Sequence, residues 1–97
     1  MSAVAVVCPL RPGAAETARV LVAEGPPFDL AGAGIVRHVV FVGEQEAVFV
    51  FEGAEARGAV ERLATNPGVW RAAAAWRDLL AGRPRLLDAS FAWPGGP

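Results

Sequence analysis

Three segments of this chain are apolar on both parities at once. Ala3 to Cys8 sets Val4, Val6 and Cys8 on one side of an extended backbone and Ala3, Ala5 and Val7 on the other. Ala47 to Glu52 sets Val48 and Val50 against Phe49 and Phe51, and Ile35 to Val42 is apolar on both parities apart from Arg37 and His38. Side chains alternate between the two faces of a strand, so strands of this kind are covered on both. A sheet with one wet face is therefore excluded.

Length limits how the covering is done. Ninety-seven residues suit one domain over 1–97 and not two independent cores. At 54% hydrophobic and 20% charged residues the chain is too apolar for a disordered tail. Nine arginines and no lysine oppose ten acids, leaving a net charge of −1 and no basic footprint for nucleic acid. Cys8 is the only cysteine and cannot form an internal disulfide. The first ten residues lack the Lys or Arg of a signal peptide, and no run reaches the length of a membrane span, so a cytoplasmic protein without a membrane partner is expected.

Between the strands the spacing turns helical. Pro12 suits a first helical position, and Ala14, Ala18, Leu21 and Val22 recur on one side until Gly25-Pro26-Pro27 stops the run. Phe28 to Gly34 reads as an irregular connection with Phe28 as an anchor into the core. Gly43 to Glu46 is a polar connection of hairpin length between the second and third strands. Ala54 to Ala64 carries Ala56, Ala59, Val60 and Leu63 on one side, with Arg57 and Glu61 paired one turn apart on the other. Asn66-Pro67-Gly68 breaks and restarts the helix, with Asn66 as N-cap and Val69, Ala73, Trp76 and Leu80 as a core stripe. Asp88 to Trp93 is expected as the last strand, with Pro94 to Pro97 a frayed tail.

The order strand, helix, strand, strand, broken helix, strand predicts an α+β, ferredoxin-like βαββαβ domain: a four-stranded antiparallel sheet with helices on one face. The helix-free face would then be a large apolar patch, which a second copy resolves by packing sheet against sheet. A homodimer through that face, a dimeric α/β barrel, is expected.

Element order and two-faced strands over nearly the whole chain resemble the dimeric α/β-barrel superfamily, including the antibiotic biosynthesis monooxygenase-like proteins. The resemblance implies a small cofactor-free protein, in a superfamily that holds monooxygenases, isomerases, dehydratases, haem-degrading enzymes and many proteins without assigned activity. The monooxygenases hold a phenolic substrate with an Asn and a Trp separated by three residues and a Tyr beyond. Asn66 and Trp70 have that spacing, and Trp76 stands where the Tyr would be; the chain has no tyrosine. Haem degradation needs a helix-borne axial histidine, and no histidine follows His38.

Read on their own, the candidates each have two meanings. His38 is either a pocket base or a buried structural histidine. Asn66 and Trp70 are either substrate contacts or a helix cap and a core aromatic. Arg37 is either an anion anchor or half of an interface salt bridge. Cys8 is either a reactive thiol or a small buried hydrophobe. Gly32 and Gly34 precede a strand and lack a following Gly-Lys-Ser/Thr, so they are no phosphate loop. No metal ligand set is recognisable, and no cofactor is expected. Phe49, Phe51, Trp70 and Phe91 are expected to line an apolar cleft between sheet and helices, with His38 or Asn66 as its polar handle. The chain is then either a non-catalytic protein that binds an apolar or aromatic molecule, or a cofactor-independent monooxygenase or isomerase acting on an aromatic or enolisable one.

Overall fold

The computed structural model describes residues 2–93. The expected tail, Pro94 to Pro97, lies outside them. Four strands, β1 (Ser2–Pro9), β2 (Ile35–Val42), β3 (Glu46–Gly53) and β4 (Arg85–Asp88), form one antiparallel sheet in the order β2-β3-β1-β4. The helices are α1 (Ala15–Ala23), α2 (Ala56–Ala64), α3 (Pro67–Ala72) and α4 (Ala74–Arg77). The fold is the ferredoxin-like α+β arrangement, and its helices lie on one face of the sheet.

Register decides what each face carries. Val4 opposes Phe51, Val6 opposes Phe49 and His38 opposes Phe51, which places Val4, Val6, His38, Val40, Phe49 and Phe51 on the helix side. Ala5, Val7, Val39, Phe41, Val48 and Val50 consequently occupy the helix-free side. A β-bulge between Ile35 and Arg37 puts these two residues on opposite faces. Ile35 is thereby buried among Val4, Phe51 and Ala56, and the intervening Val36 is left exposed.

Two buried clusters tie helices to sheet. Val4, Ile35 and Phe51 meet Ala56, Ala59 and Val60 of α2, while Leu10 and Ala47 meet Ala14 and Ala18 beside α1. Alanines at the contacts let both helix backbones lie close over the sheet. Gly25, at φ 91°, ends α1 in a conformation that a side chain would resist, and Pro26-Pro27 then blocks continuation. Gly53 is required by a close approach, since a Cβ there would collide with the Gly34 carbonyl oxygen. Ser2 Oγ donates to the Gly53 carbonyl (3.2 Å) and accepts from the Ala56 N–H (3.0 Å), so a strand residue satisfies the start of α2. Arg57 reaches both Glu61 and Asp88 at 2.9 Å, joining α2 to β4.

Two expectations are corrected. The last strand is Arg85–Asp88 and not Asp88 to Trp93. Val4 pairs with Asp88, and the Ala89 N–H donates to the Ala3 carbonyl (3.3 Å), so β1 ends as Ser90 is reached and residues 90–93 run past it. The helix expected through Val69 and Leu80 is also interrupted at Ala73 (φ −92°, ψ 12°), between α3 and α4. Alanine propensity gives no reason for that break. Trp70, whose indole N–H donates to the Ala64 carbonyl, and Trp76, set against Phe49, fix the two pieces separately.

Candidate functional site

Phe49, Phe51, Val6 and Leu86 form the floor of a cavity of about 580 Å³ between the sheet and the helices. Its walls come from the end of α1 and Pro26-Pro27-Phe28 on one side and Val60 and Leu63 of α2 on another. Val69, Trp70, Ala73, Trp76 and Leu80 make the roof. Volume and apolar character suit a small organic molecule.

The break at Ala73 shapes this space. Residues six apart on a continuous helix are offset by about 120°, so one straight helix could not aim both tryptophans squarely at one cavity. Divided, the helix lets Trp70 and Trp76 both line it. Trp76 meets Phe49 edge to face, with ring centroids 5.0 Å apart.

His38 is the polar group on the floor side. Its ring stacks on Phe51 with centroids 4.4 Å apart and lies 6.3 Å from Phe49. Its Nδ1 is 2.9 Å from the Val50 carbonyl. A carbonyl only accepts, so Nδ1 carries a proton, and in the Nδ1–H tautomer Nε2 is an acceptor. Among the described residues Nε2 has no hydrogen-bond partner.

Cys8 also lines the cavity, but burial pushes its thiol up to about 11. It is thus a protonated, weakly polar wall group at neutral pH, not a nucleophile.

Of the residues singled out in the sequence, the structure brings Cys8, His38, Phe49, Phe51, Trp70 and Trp76 together at this cavity. It separates three others. Asn66 caps α3, its Oδ1 accepting from the Gly68 N–H at 2.8 Å, and it lines a neighbouring shallow cleft with Asp29 and Arg62. Arg37 stands on the helix-free side with Nη1 3.5 Å from Glu52 Oε2, because the alternation that turns His38 inward turns its neighbour outward. Phe91, beyond the end of β4, is 85% exposed and does not touch the cavity.

Sequence reasoning missed Arg77, which lines the cavity from the last position of α4. A cation at a helix C-terminus is expected for the dipole alone, so its position carried no functional signal. Among the described residues no group of three or more His, Cys, Asp and Glu could hold a metal ion. No helix there is long and apolar enough to cross a membrane.

No family model and no curated protein matches this sequence. Solved structures do match its shape. An antibiotic biosynthesis monooxygenase superposes with a TM-score of 0.68 at 15% identity, over 95% of this chain and 99% of the other. SnoaB, a cofactor-independent oxygenase from Streptomyces nogalater, gives 0.63 at 20% identity, over 97% of each chain. NE2512 from Nitrosomonas europaea, a protein of unknown function, gives 0.67 at 17% identity, over 98% of this chain and 95% of its own.

Proposed function

The fold is that of the antibiotic biosynthesis monooxygenase-like structures, and we propose that this chain binds a planar aromatic or otherwise apolar small molecule in the sheet–helix cavity. The carrying observation is an apolar space of about 580 Å³ whose floor holds one imidazole with a free acceptor nitrogen. Such a site takes up a flat ring system by burial against Phe49, Phe51 and the two tryptophans, and orients it through one hydrogen bond. The working unit is a homodimer joined through the helix-free sheet face, where Phe41 and Leu87 are 59% and 47% exposed. Titration calorimetry with 2-naphthol tests the cavity. Binding below millimolar concentration, weakened by Phe51→Ala or Trp70→Ala in folded protein, is expected; no binding removes this reading.

A second reading is favoured by His38. A phenol that donates to Nε2 acquires phenolate character, and an electron-rich ring can then react with dioxygen without a cofactor. One oxygen atom would enter the ring to give a quinone, and the other would leave as water. The protein would supply orientation, exclusion of water and a proton acceptor. Likeness in fold to SnoaB supports it at the level of architecture only. Oxygen uptake with electron-rich naphthols, abolished by His38→Phe, would establish catalysis. Uptake equal to the buffer blank would leave a binding protein.

A further inference from the structure

We propose that Arg77 makes this cavity selective for anionic aromatic ligands, aryl carboxylates above all, by pairing with the carboxylate while the ring lies between Phe49 and the tryptophans. This rests on the cavity reading above. Of the nine arginines, three are engaged by acids: Arg19 by Glu16 and Glu44, Arg37 by Glu52, and Arg57 by Glu61 and Asp88. Arg11 donates to the Leu80 carbonyl. Arg77 lines the cavity and has no ion-pair partner among the described residues. No aspartate or glutamate lines the same space. Arg77 is thus the one arginine, and the one fully charged side chain, among the described residues that line this space.

Geometry assigns the ligand's two ends. Arg77 follows Trp76 directly on α4, so the charge stands at the rim of the aromatic wall that Trp76 and Phe49 build. His38 stands across the cavity on β2. Arg77 is exposed, so a carboxylate paired with it keeps part of its hydration and escapes the full penalty of a buried ion. The apolar walls still strengthen the attraction over that in bulk water. A guanidinium offers the planar two-point contact that a carboxylate fits.

The test compares 2-naphthoate with 2-naphthamide by titration calorimetry at pH 7.5, two probes matched in shape and differing in charge. The naphthoate is expected to bind at least tenfold more tightly. Arg77→Gln should erase that preference, so that naphthoate and naphthamide bind the same variant with equal affinity, and Arg77→Lys should retain part of it. Arg71→Gln removes the same charge from an exposed residue outside the cavity and should leave the preference intact. Equal affinity for the two probes, or a preference that survives Arg77→Gln, overturns the role of Arg77 while the cavity reading stands. Failure of both probes and of 2-naphthol to bind overturns the two together.

Discussion

His38 lies almost flat on Phe51, their ring centroids 4.4 Å apart and their planes inclined by 26°, while its Nδ1 is held 2.9 Å from the Val50 carbonyl. Stack and hydrogen bond together fix ring and tautomer, so Nε2 is aimed before any ligand arrives. His38→Phe preserves the stack and removes the acceptor. It should weaken 2-naphthol binding about five- to tenfold, roughly 1–1.4 kcal/mol, and leave naphthalene unaffected. Equal loss for both compounds in calorimetry would mean that the ring contributes by packing alone.

Asn66 is expected to matter for stability and not for the cavity. Its side chain accepts from Gly68 N–H at the start of α3, and its neighbouring cleft is a different space. Asn66→Ala should lower stability by about 1 kcal/mol in urea unfolding, and Asn66→Asp should restore most of it. Affinity for 2-naphthol should stay within twofold of the parent.

The dimer is tested at Phe41. This ring is 59% exposed on the helix-free side of β2, so a charge costs the isolated protomer little. A standard interface buries roughly 800 Å² per partner, and a carboxylate set into its apolar centre is strongly unfavourable. Light scattering at micromolar concentration should give the mass of two chains for the parent and of one for Phe41→Glu. A parent that stays a single chain removes the proposal.

Cys8 carries a pH signature. Its thiol is raised from the ordinary 9.0 to about 11 by burial. Below about pH 9 the thiol holds its proton folded or unfolded, and stability is undiminished. From about 9 to 11 the unfolded chain loses that proton and the folded one keeps it, so stability falls by roughly 2–3 kcal/mol as pH rises through this window. Urea midpoints measured across it should decline for the parent and stay flatter for Cys8→Ala.

Local signals were readable where one residue type had one physical job. The bounds of β2, the stop at Gly25-Pro26-Pro27, the cap at Asn66 and the Arg57–Glu61 pair follow from propensity, turn chemistry and spacing. Two-faced strands point to the sheet, but the side that His38 takes follows only from the register that sets it opposite Phe51. What could not be read depends on partners distant in sequence. Phe91 alternates like a strand residue, but among the described residues β1 offers it no partner. Ser2 supports α2 from 54 positions away. Arg77 looks like any cation ending a helix until Trp76 is seen to turn α4 onto Phe49. The Asn66–Trp70 spacing is real, yet the cap occupies the amide oxygen and leaves the indole to face the cavity alone.

The interruption at Ala73 leaves a roof made of helices six and four residues long. Neither length sustains itself in water, because the cost of nucleating a helix is recovered only over several turns. The roof therefore persists through its side-chain contacts, and the sheet beneath through its ladder of backbone hydrogen bonds. Local opening above the cavity should thus be far cheaper than global unfolding, so a ligand could exchange through a frayed roof while β1, β2 and β3 stay intact. Two helical fragments in place of one rod give this small fold a compliant ceiling over a rigid base.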